Sequence, residues 1–376
     1  MHRVRERPTV YLHIGAPKTG TTYLQNILFR NRAALRRDGL LYPGDAVRSH
    51  FWAAQDLRRM AFHGYAEPQV DGAWRRLIED IRRFGGNSVL DHELLAGASA
   101  DQIDEALADL DFADVRIVFT ARDLARQLPA AWQERVKNRD TMAYGTFLER
   151  VRDSRASDGP RRLFWPLHDV PTILARWSRN LPPDRVHLVT LPPAGGNPAL
   201  LWQRFTGVLG IDPGRYDTAV ARENTSLSAA EAAVLRALNE AIAETDIPWP
   251  VYRLAIKHGL SAALGGGTRK GAARIELPED AYAWVTVWTR DAVAELSAAG
   301  YSVVGELAEL IPADRPAGAD PDAVPADEQV DAATRMLGAL LRRLAQGGAG
   351  APPPQRSMRL GPLRAAARRA RCRVSQ

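Results

Sequence analysis

Cysteine and long apolar runs are scarce in this chain. A single cysteine, Cys372, occurs among 376 residues, so no disulfide framework and no cysteine-rich zinc site can form within one chain. The charged residues 1–8 lead into an apolar segment too short for a signal peptide or a membrane span, and no later stretch is long and uncharged enough to cross a bilayer. We therefore expect a cytoplasmic protein with no transmembrane segment.

Acidic residues are missing from the C-terminal segment 346–376. This segment holds seven arginines, whereas the whole chain has a formal net charge of +6, so the rest of the chain is close to neutral. The composition predicts a basic, disordered tail. Such a tail can touch anionic surfaces, but it predicts no specific recognition of nucleic acid.

Short apolar segments alternate with helical patterns over most of the chain. Strands are predicted at 9–14, 39–42, 87–90, 115–120 and 186–190. Helical spacing of apolar residues is found at 20–31, 122–137, 170–181, 198–208, 227–243 and 279–299. Strands separated by helices favour right-handed crossovers and a mainly parallel sheet. The predicted fold class is therefore α/β, with three layers and a central sheet flanked by helices.

The composition changes near residue 312. Residues 313–327 are rich in Pro, Ala and Asp, as is typical of a linker, whereas 328–345 has apolar residues at helical spacing. The predicted organisation is one domain over residues 1–312, a linker over 313–327, a C-terminal helix over 328–345 and the basic tail over 346–376.

The segment from Gly15 to Thr22 has the frame of a phosphate-binding loop. It follows an apolar strand and opens a helix, but Thr21 stands where the motif G-x-x-x-x-G-K-[ST] has lysine, and Lys18 lies three positions earlier. Backbone N–H groups at a helix N-terminus can still bind phosphate oxygens. The displaced cation favours a phospho-donor other than ATP or GTP. The alternative is a strand–turn–helix in which Gly20 and the threonines only cap the helix.

The loop resembles the 5′-phosphosulfate loop of sulfotransferases that use 3′-phosphoadenosine 5′-phosphosulfate (PAPS). The matching run is Pro17-Lys18-Thr19-Gly20-Thr21-Thr22, followed by Leu24. The resemblance implies a P-loop-related fold of the bacterial sulfotransferase type, PAPS as co-substrate and no required metal. It also implies that Lys18 stabilises the leaving group, that Thr21 and Thr22 bind the 5′-phosphate, and that Gly20 permits close approach of the backbone.

A run of titratable residues, Asp91-His92-Glu93, follows the predicted strand 87–90. Sulfuryl transfer needs a base that deprotonates the acceptor hydroxyl or amine. The resemblance implies a catalytic Glu or His after a strand in this part of the chain, which favours Glu93 and leaves His92 as the second candidate. The alternative is a helix start with Asp91 as the N-cap.

Arg122 follows the predicted strand 115–120 and, by the resemblance, takes the place of the arginine that binds the 3′-phosphate. The family usually has a serine eight residues later on the same helix, but Ala130 stands there. Polar residues of this helix that could compensate are Arg126, Gln127 and Gln133. The alternative for Arg122 is an ion pair with Asp123 at a helix start.

The glycine-rich segment 265–271 ends in Arg269, Lys270 and Gly271. Backbone N–H groups and two cations can surround a phosphate. The segment resembles the Arg-Lys-Gly loop that sulfotransferases close over the 3′-phosphate. A mobile surface loop is the alternative interpretation.

These features together predict a PAPS-dependent sulfotransferase. Its acceptor would be a hydroxyl or amine of a carbohydrate, glycolipid or small natural product. A P-loop kinase or NTPase is one alternative, disfavoured because Thr21 replaces the lysine and because Ala121-Arg122 ends a strand where a Mg²⁺-binding acid is expected. The other is a non-catalytic nucleotide-binding or nucleic-acid-associated protein that uses the arginine-rich tail. The sequence specifies neither the individual acceptor nor the oligomeric state.

Overall fold

The structure is a computed structural model, and it describes residues 7–156, 163–193, 195–197, 199–220, 226–260, 273–313 and 318–346. Within these residues, six parallel strands form one sheet in the order β2-β3-β1-β4-β5-β6. The strands are β1 (Thr9–His13), β2 (Leu40–Leu41), β3 (Asn87–Asp91), β4 (Asp114–Ala121), β5 (Val186–Thr190) and β6 (Ser302–Val304). The predicted α/β fold class with a mainly parallel sheet is confirmed. The edge strand β6 was not predicted, because three half-buried residues give no measurable periodicity.

Helices connect the strands in the way that parallel pairing requires. They are α1 (Thr21–Arg30), α2 (Arg32–Arg37), α3 (Ser49–Leu57), α4 (Ala73–Phe84), α5 (Ala100–Asp109), α6 (Leu124–Lys137), α7 (Tyr144–Ala156), α8 (Trp165–His168), α9 (Val170–Ser178), α10 (Ala199–Leu209), α11 (Ala229–Ala241), α12 (Trp249–Tyr252), α13 (Glu279–Ala298) and α14 (Ala326–Gln346). A π-helical stretch, Arg253–Leu260, follows α12. Short 3-10 turns lie at Pro68–Val70, Glu93–Gly97, Pro183–Arg185, Pro213–Arg215 and Leu307–Leu310.

The sheet is buried on both faces. Alternate strand residues such as Leu12 and Ile117 join one apolar cluster with α4, α5 and α9, whereas Tyr11 and Val118 join another with α1 and α10. Strands covered on both sides need apolar residues at nearly every position, which explains the continuous apolar runs in the sequence.

The central position of β1 defines where a ligand would bind. The chain leaves β1 towards β2 and β3 on one side, and it leaves β4 towards β5 and β6 on the other side. The carboxyl ends of β1 and β4 therefore form a topological switch point, where ligands of open α/β sheets bind. The loop at 14–20 and Arg122 lie there.

A third apolar cluster lies among the helices α6, α7, α11, α13 and α14. Helix α14 contributes Met336, which is buried in that cluster. In the predicted linker, residues 318–325 are tied to the fold, since Ala319 N–H donates to Arg274 O (3.1 Å) and Gly145 N–H donates to the Asp322 carboxylate (2.8 Å). Residues 347–376, nearly all of the predicted tail, lie outside the described residues. In the part of the chain that the structure describes, no helix is long and apolar enough to cross a membrane.

Candidate functional site

The loop between β1 and α1 is held on β4. Ile14 N–H donates to Val118 O (3.0 Å), Ala16 N–H donates to Thr120 O (2.9 Å) and Thr120 N–H donates to Gly15 O (2.7 Å). These hydrogen bonds continue the β1–β4 pairing beyond the strand. The segment 17–20 is therefore a short turn between two rigid elements.

The turn leads into the N-terminus of α1 through Lys18 and Gly20, which have left-handed backbone conformations with φ of 65° and 82°. A Cβ on Gly20 would lie 2.5 Å from the Leu201 side chain, so any other residue would have to displace Leu201 as well as adopt a left-handed backbone conformation. Helix α1 has no acidic residue in its first turn, and no side chain of the described residues caps it. Its first N–H groups, at Thr21 and Thr22, are thus suited to an anion.

Lys18 projects from this turn and forms an ion pair with Glu134 of α6. Both side chains are only partly exposed, at 21% and 28%. Glu134 Oε1 also accepts a hydrogen bond from Asn138 Nδ2 (3.3 Å). The only cation within the loop is therefore paired with a protein carboxylate in this structure.

Glu93 lies immediately beyond β3, at the first position of the 3-10 turn Glu93–Gly97. Its Oε2 accepts a hydrogen bond from Gln25 Nε2 of α1 (3.0 Å), and 23% of the side chain is exposed. Burial alone would raise the pKa of Glu93, but His92, a backbone amide, Gln25 and Lys18 together lower it below its ordinary value. Glu93 is therefore a carboxylate that can accept a proton, and it lies within the field of Lys18.

His92 has a different environment. Its Nδ1 accepts a hydrogen bond from Leu94 N–H (3.1 Å), and its ring lies 5.4 Å from the ring of Phe51. His92, and not Asp91, is thus the cap of the turn that follows β3. Because Nδ1 already accepts a backbone hydrogen bond, its lone pair is not free to take the proton of an acceptor. This arrangement favours Glu93 as the base.

Sequence reasoning missed a buried polar network below the loop. His13 Nδ1 donates to Asp91 Oδ1 (2.8 Å), and both side chains are fully buried. His13 Nε2 lies 3.1 Å from Thr120 Oγ1, which lies 2.6 Å from Thr19 Oγ1. The Thr19 hydroxyl donates to Ala16 O (2.5 Å). The network links the ends of β3, β1 and β4 to the loop, and the available signal was a polar residue at the end of each apolar strand.

His50 fixes the end of β3 from α3. Its Nδ1 accepts from Asp91 N–H (3.0 Å), its Nε2 donates to Pro43 O (2.9 Å), and its ring stacks on Tyr42 at 4.1 Å. Burial lowers the pKa of His50 to about 4. His50 is therefore a neutral structural residue at neutral pH.

Arg122 is linked to the loop through Gln127. Arg122 Nε donates to Gln127 Oε1 (3.2 Å), and Gln127 Nε2 donates to Pro17 O. Of the residues expected to compensate for Ala130, Gln127 is the one joined to Arg122 by its side chain. The side chains of the other two candidates, Arg126 and Gln133, are bound to other groups of the protein. Arg126 pairs with Asp123, and Gln133 accepts a hydrogen bond from Leu227 N–H (2.8 Å).

Lys18 and Arg122 both affect the pKa of the buried residue His168. The pKa of His168 is lowered to about 3, first by burial and then by the positive charges of Arg122 and Lys18. His168 lies beside Gln127 at 2.9 Å, in the wall of a small cavity that also contains Arg122 and Trp165. Both cations therefore lie close to this cavity, with Lys18 paired to Glu134. Arg269, Lys270 and Gly271 lie outside the described residues.

A cavity of about 270 Å³ opens beside the loop and the end of β3, with Thr22, Gln25 and His92 in its wall. A larger cavity of about 1060 Å³ lies between α2, α3 and α4 and contains none of the predicted site residues. The smaller cavity thus adjoins Glu93 through Gln25 and His92, although Glu93 itself is not in its wall. Among the described residues, no group of three or more His, Cys, Asp or Glu side chains is placed to hold a metal ion.

No protein-family model matches the chain, and no curated protein sequence matches it significantly. Among solved structures, the crystal structure of a sulfotransferase from Alicyclobacillus acidocaldarius matches with a TM-score of 0.38 and 17% sequence identity. The match covers 67% of this chain and 100% of that chain. A likeness this weak gives no support for a function, so the function has to be argued from the residues of the site.

Proposed function

We propose that this protein is a sulfotransferase that moves a sulfuryl group from PAPS to a hydroxyl or amine of a small-molecule or glycan acceptor. The observation that supports this most directly is the meeting of the loop and Glu93 at one edge of the sheet. Gln25, on the helix that the loop opens, donates to Glu93 at 3.0 Å, and the charge of Lys18 helps to lower the pKa of Glu93. A cation for the leaving group and a base for the acceptor are thus present together.

The donor would be held by the loop, the start of α1 and Arg122. The N–H groups at the start of α1, with Thr21 and Thr22, would bind the 5′-phosphate, and Lys18 would contact the bridging oxygen of the phosphosulfate. Arg122 would bind the 3′-phosphate.

The reaction would be a direct transfer. The Glu93 carboxylate accepts the proton of the acceptor hydroxyl or amine, whose heteroatom forms a bond to sulfur. The bond between sulfur and the bridging phosphate oxygen breaks, and its electron pair stays on that oxygen. Lys18 stabilises the developing negative charge. The products are the sulfated acceptor and adenosine 3′,5′-bisphosphate, and the proton resides on Glu93 until solvent removes it.

Calorimetric binding of adenosine 3′,5′-bisphosphate, compared with binding of ATP and Mg²⁺, tests the proposal. We expect tight binding of the bisphosphate that is lost in Lys18→Ala and in Arg122→Ala. Arg75→Ala is the matched control, because Arg75 is an exposed cation of α4 that pairs with Glu79. Preference for ATP with Mg²⁺ would contradict the proposal in favour of a P-loop kinase or NTPase.

A sulfuryl-transfer assay with a panel of hydroxyl and amine acceptors is the second test. Binding of the bisphosphate without transfer to any acceptor, under conditions in which PAPS is bound, would favour a non-catalytic nucleotide-binding protein.

A further inference from the structure

We propose that the cavity beside His92 is the acceptor site, and that it selects a compact hydroxylated ring compound that carries an anionic group such as a carboxylate. The assignment of an acceptor rests on the proposed function, whereas the choice of ligand rests on the walls of the cavity. Those walls come from α1, α3, the segment 62–67 and the start of the π-helical stretch.

The cavity lies next to Glu93, the proposed base. Gln25 and His92 lie in its wall, and Gln25 is also hydrogen bonded to Glu93. Thr22, from the first turn of α1, lies in the same wall. Glu93 itself is not in the wall, so a hydroxyl at this end of the cavity would reach the carboxylate past Gln25 and His92.

One side of the cavity is a row of aromatic rings. Phe51 lies 5.4 Å from His92 and 5.8 Å from Phe62, and Phe62 lies 6.4 Å from Trp249, as measured between ring centroids. The last two pairs are close to parallel, with interplanar angles of 22° and 16°. Rings stacked in this way form a continuous aromatic wall, against which a ligand ring can pack in an edge-to-face or offset arrangement.

Another side of the cavity is charged, and its charges do not cancel. Glu67 accepts hydrogen bonds from Arg48 (2.5 Å), Arg253 (3.0 Å) and Trp52 (2.9 Å). Burial alone would raise the pKa of Glu67, but Arg48, Trp52 and Arg253 lower it below its ordinary value. Glu67 is thus ionised, and two guanidinium groups share one carboxylate, which leaves an excess positive charge in the wall.

Each of these guanidinium groups has donors left for a ligand. In the described part of the chain, Arg48 and Arg253 each use one nitrogen on Glu67, and their other nitrogens have no protein acceptor. Arg48 is held in place by the rings of Phe51 (4.7 Å) and Trp52 (5.6 Å). A positioned guanidinium with unused donors suits the two oxygens of a carboxylate.

A buried amide adds a second, independent observation. Gln55 is only 2% exposed and lines the cavity, and neither amide atom belongs to the fully buried unpaired polar atoms of the described residues, so the amide reaches the space of the cavity. An amide that faces a cavity offers both donors and an acceptor to a bound ligand. A ring hydroxyl can both donate to and accept from this amide.

The volume limits the size of the ligand. At about 270 Å³ the cavity is slightly smaller than the range of about 300–1,000 Å³ that is typical of sites for drug-sized molecules. A single ring with short substituents fits this space. A larger acceptor would have to leave most of its length outside.

Binding of matched ligands in the absence of donor tests the proposal, with isothermal titration calorimetry as the measurement. One pair is 4-hydroxybenzoate and phenol, and the other is methyl glucuronoside and methyl glucoside. We expect the acidic member of at least one pair to bind at least about tenfold more tightly than its neutral partner. The pair with the greater difference shows whether the ring is aromatic or a sugar. Equal affinities within both pairs, or binding of none of the four, would overturn the proposal.

Variants of Arg48 and Arg253 test whether the walls of the cavity cause the preference for the acidic ligand. Arg48→Gln and Arg253→Gln should each remove most of the preference for the acidic ligand, and Arg253→Lys should restore part of it. Arg59→Gln is the control, because Arg59 is exposed and pairs with Glu105. Thermal unfolding identifies variants that do not fold. A preference that survives in folded Arg48→Gln and Arg253→Gln would contradict the proposal.

Binding of adenosine 3′,5′-bisphosphate separates this proposal from the proposed function. Bisphosphate binding with no preference for acidic rings would leave the sulfotransferase assignment in place and reject the acceptor class. Preference for acidic rings in a protein that does not bind the bisphosphate would support the cavity and reject the sulfotransferase.

Discussion

Lys18 forms an ion pair with Glu134, although 116 positions separate the two residues in the chain. Lys18 belongs to the loop after β1 and Glu134 belongs to α6, the helix that also carries Gln127. An anionic donor at the N-terminus of α1 would compete with the Glu134 carboxylate for the Lys18 amine. Glu134 thus offsets the charge of the loop cation, and in the proposed function Lys18 would change partners from Glu134 to the donor.

Glu134→Gln should tighten the binding of adenosine 3′,5′-bisphosphate. Removing a carboxylate next to the proposed phosphate site eliminates both the competition for Lys18 and a like-charge repulsion, which we expect to be worth about 1 kcal/mol, or roughly fivefold in affinity. Calorimetry at low ionic strength measures the effect. Glu79→Gln, a change to an exposed carboxylate on α4, is the control. Weaker binding by Glu134→Gln would show that Glu134 orients Lys18 instead of competing for it.

Glu93→Gln should lower kcat by about 10²- to 10⁴-fold, because an amide cannot accept the acceptor proton. The hydrogen bond with Gln25 can be kept by the amide oxygen, so bisphosphate affinity should stay close to that of the original protein. His92→Ala should cost less in kcat, since Nδ1 of His92 already accepts from Leu94 N–H. Initial rates of sulfuryl transfer at saturating PAPS, measured for both variants, show which residue is the base. A larger loss in His92→Ala would identify His92 as the base.

The same role for Glu93 fixes the direction of the pH dependence. The pKa of Glu93 lies below the ordinary value of 4.5, so the carboxylate is ionised at neutral pH and becomes protonated only as the pH falls through that lower value. A histidine base would ordinarily lose activity near about pH 6.5. We expect kcat/KM to show no loss between about pH 8 and about pH 5 from protonation of the base. A decline with a midpoint near neutrality would contradict the assignment of Glu93.

Asp91→Asn should destabilise the fold. Asp91 and His13 are fully buried and joined at 2.8 Å, so the substitution weakens a buried charge-assisted hydrogen bond at a cost of about 1–3 kcal/mol in the free energy of unfolding. Asp114→Asn makes the same change in a partly exposed carboxylate on β4 and should cost no more than about 1 kcal/mol. Urea denaturation measures both. Equal losses would show that the His13–Asp91 pair adds nothing beyond an ordinary surface ion pair.

The strand, loop and helix over residues 9–30 were predictable because their signals are local. An apolar run, the glycines at 15 and 20, and apolar residues at helical spacing lie within about one supersecondary unit. Helix α4 also had a local signal that was missed, since Trp74, Leu77, Ile78 and Ile81 recur with helical periodicity and are all buried. Helix α5 begins with a capping box of Ser99 and Gln102, a local sequence signal that was also missed.

The partners within the site were not predictable in this way. The contacts of Lys18 with Glu134 and of His13 with Thr120 join residues more than 100 positions apart. Such pairs depend on which strands are neighbours and on how each helix packs against the sheet, and periodicity carries neither kind of information. The role of Gln127 illustrates the point, because three polar residues of α6 were equal candidates until the helix was placed beside the loop.

Gln127→Leu should weaken the binding of adenosine 3′,5′-bisphosphate by about tenfold, the equivalent of one hydrogen bond to a charged group. Gln127 accepts from Arg122 Nε and donates to Pro17 O, so its loss releases both the proposed 3′-phosphate arginine and the loop. Gln133→Leu is the matched control on the same helix. Gln133 accepts from Leu227 N–H, so that variant should lose stability in urea denaturation but keep its affinity for the bisphosphate. Equal losses of affinity in the two variants would mean that α6 supports the donor site only through its general stability, and that Gln127 does not replace the serine missing at Ala130.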